Sequence, residues 1–305
     1  MSVALDRLEG VRRRTRSFAR AYPFESHFLD LDGASLHFVD EGPRGAEPLV
    51  FLHGNPTWSF LWREPIKAFR ADHRCVAPDH IGCGFSDKPQ DYPYRLERHV
   101  ENLERLVDRL QLERLTLVVH DWGGAIGFSF AVRHPERVAR LIVMNTAAFP
   151  GPCPLRIRIC RTPFFGPMAV RGLNAFARGA VLMASERGLD RETRRGFLEP
   201  YRTWSERVAT LRFVQDIPLA PSHPSWSRLQ EIDRGLVRLG DKPMCVIWGE
   251  RDWCFTPHFR REWQRRFPRA RVHVVESAGH WVMEDARDDV IRWMREFLAS
   301  PPSDP

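Results

Sequence analysis

Lysine is almost missing from this 305-residue chain and occurs only at Lys67, Lys88 and Lys242. Arginine therefore carries nearly all of the positive side of a net charge of +7, from 46 basic and 39 acidic residues. No apolar run approaches the roughly 18 residues a membrane helix needs. Met1 to Arg20 lacks the apolar core of a secretory signal, so a cytoplasmic location is expected. None of the six cysteines (Cys75, Cys83, Cys153, Cys160, Cys245, Cys254) forms a CxxC pair or precedes a His at metal spacing. Reduced, structural thiols are expected, and no metal or cofactor is implied. No zinc-ligand spacing or RNA-binding aromatic signature accompanies the basic charge, so nucleic acid is not an expected partner. The local cluster Arg12, Arg13, Arg14, Arg16 and Arg20 reads as a basic helix in a short N-terminal arm, with contact to a partner or a membrane surface as the other reading. There is no internal repeat.

What is present is an alternation of apolar strands and amphipathic helices. Two alternating stretches, His27–Asp32 and Ala34–Asp40, flank Gly33 and predict a hairpin. Pro48–His53 is apolar throughout, as a strand buried on both faces must be. Further strands are expected at Arg74–Pro78, Leu115–His120, Val138–Met144, Pro243–Gly249 and Arg271–Val275. Helices are expected around Trp58–Trp62, at Leu96–Leu110, from Trp122 to about Arg133 and from about Asp285 to Leu298. The Gly-rich stretch Asp79–Ser86 lacks the Gly-Lys-Ser/Thr ending of a P-loop and the spacing of a dinucleotide fingerprint. Strand-helix alternation implies a mainly parallel sheet with right-handed crossovers, and a site beyond the carboxyl ends of the strands.

The alternation breaks between Pro150 and Trp226, where prolines and helical patches replace strands. A helical lid inserted over the strand ends fits this. The expected organisation is an N-terminal arm at 1–24, a core at 25–149 and 227–299, a helical cap at 150–226 and a frayed tail at 300–305. Leu155, Ile157, Ile159, Phe164, Phe165, Met168, Val170, Leu173, Phe176, Val181, Leu182 and Met183 are numerous enough to line an apolar pocket, or to pack the lid itself.

The chemistry gathers in three loops. Leu117-Val118-Val119-His120-Asp121-Trp122-Gly123-Gly124 reads as a strand turning sharply into a helix, which lifts Asp121 to the sheet edge. A helix N-cap is the plainer reading of that Asp. A serine hydrolase carries Ser at such an elbow. An Asp there is already an anion near pH 7 and needs no base to activate it. Asp252 and then His280 follow, each just after a strand. That is the nucleophile, acid, histidine order of the α/β-hydrolase fold.

His53-Gly54-Asn55-Pro56, His120-Asp121-Trp122-Gly123-Gly124, Trp248-Gly249-Glu250-Arg251-Asp252 and Gly279-His280 resemble the haloalkane dehalogenase branch of the α/β-hydrolases. The resemblance implies that Asp121 attacks carbon and that Asn55 and Trp122 donate N–H groups to the leaving anion. One subgroup of that branch carries its acid after the strand preceding the lid; Asn145 stands near there and cannot serve, which favours Asp252. Pro78-Asp79-His80-Ile81-Gly82-Cys83-Gly84, Asn145–Phe149, Arg171–Phe176 and Thr210–Leu219 are more closely similar to the β-lactone decarboxylases of bacterial long-chain olefin biosynthesis, lid included. This implies an apolar substrate with two long alkyl chains, a cis-3,4-dialkyl-oxetan-2-one, yielding cis-alkene and CO₂. It also implies assembly with other enzymes of that pathway. Attack of Asp121 on the ring carbon and on the lactone carbonyl are both open at this point. Haloalkane dehalogenase is the alternative. Epoxide hydrolases use lid tyrosines, and the expected lid holds only Tyr201.

Overall fold

In the computed structural model, residues 2–300 are described; the frayed tail expected at 300–305 lies outside them except for Ser300. Among these residues eight strands form one sheet in the order β1-β2-β4-β3-β5-β6-β7-β8. The strands are β1 (His27–Asp30), β2 (Ser35–Glu41), β3 (Pro48–Leu52), β4 (Arg74–Pro78), β5 (Leu115–His120), β6 (Val138–Met144), β7 (Met244–Gly249) and β8 (Arg271–Val275). β1 and β2 pair antiparallel, as does β2 with β4, and the other pairs are parallel. The central strands β3, β4, β5 and β7 are buried along their whole length. Covering helices on both faces make that possible, and continuous apolar runs rather than alternation are the result.

The helices that flank the sheet are α1 (Ser2–Thr15), α2 (Arg63–Phe69), α3 (Leu96–Arg109) and α4 (Trp122–Arg133). A single 3₁₀ turn, Ser59–Trp62, takes the place of the helix expected there before α2 begins. Between β6 and β7 the chain is helical: α5 (Leu155–Ile159), α6 (Ala175–Met183), α7 (Arg191–Leu198), α8 (Val208–Gln215) and α9 (Trp226–Gly235). α9 packs back on α4. After β7 come α10 (Pro257–Arg266), then β8, α11 (Val282–Asp285) and α12 (Arg287–Leu298). The single closing helix expected from Asp285 is thus two. The chain leaves helical geometry at Ala286 (φ −134°, ψ 44°), where the Asp285 carboxylate turns inward to four donors described below. No described helix is long and apolar enough to cross a membrane.

The N-terminal arm is docked. Arg7 pairs with Asp87 at 2.7 Å, and Arg14 pairs with Glu199 and Glu206 of the helical excursion. Phe18 is fully buried, edge-on to Trp58 and Phe60 at 6.3 and 5.5 Å. Tyr22 closes the cluster, its hydroxyl 2.6 Å from Ser59 Oγ. Burying such a ring contributes about 2–3 kcal/mol. Phe18→Ala is therefore expected to lower stability by about 3 kcal/mol. Urea unfolding of the purified variant measures this, and a midpoint equal to that of the parent would show the arm to be an appendage.

Candidate active site

Strand register brings the three loops together. β3 pairs with β5 so that Leu52 lies beside Val119, and the two chains leave the sheet side by side as His53-Gly54-Asn55 and His120-Asp121. β5 pairs with β6, placing His120 beside Met144 and Asp121 near Asn145. β6 pairs with β7 in turn, bringing Asn145 next to Gly249 and the loop of Asp252.

Asp121 stands at φ 51°, ψ −125°, the left-handed region that a non-glycine residue rarely enters. Such a backbone costs about 1–3 kcal/mol and persists only where packing dictates it. Here packing does. A Cβ at Gly54 would strike the Asp121 carboxylate, and one at Gly124 would strike Thr146 Oγ1. The Thr146 hydroxyl donates to Asp121 O, and Asp121 N–H donates to Asn145 O at 3.2 Å. The Asp121 side chain makes no helix-capping bond; its Oδ1 accepts the Asn55 backbone N–H at 2.7 Å.

His280 Nε2 lies 3.7 Å from Asp121 Oδ2, and its Nδ1 lies 2.8 Å from Asp252 Oδ2. Asp252 is buried and also accepts from Cys254 N, Phe255 N and Asn145 Nδ2. The Phe255 ring stacks on His280 at 15°. Burial raises Asp121 above the ordinary carboxylate range; the His280 charge and the N–H groups of Asn55 and Trp122 oppose it without cancelling it. Burial disfavours the His280 imidazolium, but the Asp252 and Asp121 carboxylates outweigh it and lift His280 above its usual value. The imidazole is thereby biased toward its charged form.

Asn55 and Trp122 flank Asp121 in one cavity of about 260 Å³. Asn55 Nδ2 donates to Thr210 O of α8 at 3.1 Å, while its Oδ1 is buried with no partner. An amide carries two N–H bonds, so one remains for a bound anion. The cavity walls are mainly apolar, with Phe149, Val214, Trp253 and Phe259 among them. Neither pocket lining nor lid packing accounts for most of the lid side chains named above. Of the twelve apolar lid residues named above, only Ile157, Phe176 and Met183 face the cavity. Val170 and Val181 are buried in the lid, and Leu155, Ile159, Phe164, Phe165, Met168, Leu173 and Leu182 are exposed. Short helices joined by proline turns cannot turn every apolar side chain inward. No tyrosine lines the cavity among the described residues, and the Tyr201 hydroxyl donates to Thr57 O. No described group of His, Cys, Asp and Glu could hold a metal ion.

Two positioning residues escape the sequence reading. Asn145, set aside as an acid, donates from Nδ2 to Asp252 Oδ2 at 2.9 Å and to Gly249 O, and accepts from Gly249 N. An Asn directly after the apolar run Leu141–Met144 is its sequence signal. Asp285 accepts from Gly279 N, Ser185 Oγ, Glu186 N and Arg187 N, tying the His280 loop to the segment after α6. Nothing in the periodicity marks it.

A buried Asp on a strand-to-helix elbow, a His held by a second Asp, and two N–H donors beside the elbow form a site of the α/β-hydrolase type with Asp at the elbow position. The chain belongs to the α/β hydrolase fold family, whose model matches residues 47–286. Within that family the chain is 42% identical over 284 residues to the cis-3-alkyl-4-alkyloxetan-2-one decarboxylase of Shewanella oneidensis, covering 90% of this chain and 89% of the relative. It is 40% identical to the enzyme of the same name from Xanthomonas campestris, covering 92% and 98%. Among solved structures, the haloalkane dehalogenase DatA from Agrobacterium tumefaciens superposes with a TM-score of 0.81 at 26% identity, covering 90% of this chain and 96% of that one.

The opposing terms on Asp121 give a signed expectation. Turnover falls on acidification as Asp121 protonates, with a midpoint above the value near 3.9 of an exposed Asp. His280 opposes that upward shift, so His280→Gln moves the midpoint of the residual activity further up. Profiles of kcat/KM against pH for both proteins measure it. A downward move in the variant contradicts the assigned coupling.

Proposed function

We propose that this chain is a cytoplasmic β-lactone decarboxylase, converting a cis-3,4-dialkyl-oxetan-2-one to a cis-alkene and CO₂. The observation that carries the reading is 42% identity to the Shewanella decarboxylase over 90% of the chain, a span that takes in the helices between β6 and β7. Of those helices α5 to α8 act as the cap, and the apolar cavity beneath them suits alkyl chains.

Asp121 is the nucleophile. Its carboxylate attacks the ring carbon that bears the ring oxygen, forming an ester with inversion. The carbon–oxygen bond breaks, and its electron pair leaves as a carboxylate. The free N–H of Asn55 and the Trp122 indole bind that anion. The neighbouring carbon then loses CO₂; the released electron pair becomes the second bond of the alkene and Asp121 departs as carboxylate. Inversion followed by anti elimination carries a cis-lactone to a cis-alkene, and no water is consumed. Attack at the carbonyl would instead give an anhydride and an alkoxide, which leaves no good leaving group on the carbon that must become alkene. His280, oriented by Asp252, serves as a charge partner. Water must be kept from the ester, because its hydrolysis would give a hydroxy acid in place of the alkene. Assembly with the enzymes that build the lactone ring belongs to the same reading.

Haloalkane dehalogenase is the second reading, because Asn55 and Trp122 beside Asp121 suit a halide as well as a carboxylate. One assay separates them. Purified protein and its Asp121→Ala variant receive a cis-dialkyl β-lactone, a long 1-bromoalkane and a terminal epoxide. Alkene, bromide and diol are then measured by gas chromatography–mass spectrometry and ion analysis. The expected outcome is cis-alkene from the lactone, reduced at least about 10³-fold in the variant. Bromide without alkene would replace the decarboxylase with the dehalogenase.

A further inference from the structure

The apolar side chains that the cavity does not use share one segment. Leu155, Phe164, Leu173 and Leu182 are 70%, 90%, 69% and 68% exposed, and Ile159, Phe165 and Met168 stand out beside them. Scattered exposed apolar residues are ordinary, but a contiguous run of large ones marks an interaction surface. The same stretch, from Pro150 to Ser185, carries Arg156, Arg158, Arg161, Arg171 and Arg178 and not one Asp or Glu. This is a chain rich in ion pairs elsewhere, yet none of the described ion pairs joins one of these five to a carboxylate; Arg156 and Arg171 lie over the Trp253 and Trp204 rings at 5.6 and 4.7 Å. The hydrogen bonds they make run to Met183 Sδ, Ile217 O, Trp204 O and Gln90. Large apolar side chains interleaved with arginines are the composition of a segment that lies in a lipid interface. There the rings and aliphatic chains enter the acyl boundary, and the guanidinium groups meet anionic headgroups.

The segment is also the rim of the cavity. Pro152, Pro154, Arg156, Ile157, Cys160 and Met183 line the space that ends at Asp121. We propose that the cap face formed by residues 151–183 docks on an anionic lipid bilayer, presenting the cavity mouth to the acyl layer. Apolar ligands then pass between bilayer and cavity without crossing water, where long alkyl chains are barely soluble. The arm also exposes arginines, at 12, 13, 16 and 20, but Leu5 is its one large exposed apolar side chain among the residues whose burial is described, which makes it a weaker candidate for such contact.

The test reads binding and not turnover, so it stands apart from the reaction assigned above. The purified full chain is sedimented with vesicles of phosphatidylcholine alone and of phosphatidylcholine with phosphatidylglycerol. Two variants are compared, Phe164→Ser/Phe165→Ser/Leu173→Ser and Arg158→Glu/Arg178→Glu. All five positions lie outside the cavity lining, and thermal melts of both variants are expected to match the parent. The expected result is sedimentation with the anionic vesicles, weakened at least about tenfold in each variant. For the parent it is also weakened by raising salt to about 0.5 M, which screens the arginine term. Two outcomes overturn the proposal: no binding of the parent to anionic vesicles, or a parent dimer in sedimentation velocity that the serine variant dissolves, which would assign the face to a second copy of this chain.

Discussion

Everything at the site depends on one turn of backbone. Asp121 is held at a positive φ by neighbours that leave no other course: Gly54 lies against its carboxylate, Thr146 bonds its carbonyl and Asn145 takes its N–H. The strain is bearable because the sheet beneath is rigid. β3, β5 and β6 are fully or almost fully buried and locked in parallel register, so their ends emerge as fixed points. A side chain lifted from such a base keeps its position without a ligand present, as a preorganised site requires.

The donors around the buried carboxylates set Asp121 apart from the others. Asp79 accepts from His37 Nδ1, Ser59 N and Phe85 N. Asp285 has four donors and Asp252 has His280, Asn145 and two backbone N–H groups. Asp121 has the Asn55 and Trp122 N–H groups and a histidine that stops at 3.7 Å. A carboxylate saturated with donors is a poor nucleophile, and one that keeps lone pairs facing an apolar space is a good one.

The strands were legible because burial on both faces imposes continuous apolar runs, and the parallel connections then set where the loops meet. Asp121, Asp252 and His280 could be read from their order alone, and the structure brings them into one chain of contacts. Asn145 and Asp285 could not, because their partners are mostly backbone groups distant in sequence, which no spacing reveals. The lid side chains misled for a different reason. Hydrophobicity says that a residue seeks an apolar neighbour, not whether that neighbour is the cavity, the lid or something outside the molecule, and Leu173 and Ile157 look alike in a sequence.

Asp285 has a mechanical consequence. It fastens the Gly279-His280 loop and the chain at 185–187 to the same carboxylate, and Trp281 N–H adds a bond to Ala184 O at 2.7 Å. On that side the roof and the histidine are one body, so prising them apart would pull His280 from Asp252. Gly151, Pro152, Ile217 and Pro218 also line the cavity, and there the described tie is a single bond from Arg161 to Ile217 O. The edge of the roof next to the histidine is thereby the fixed edge of the cavity.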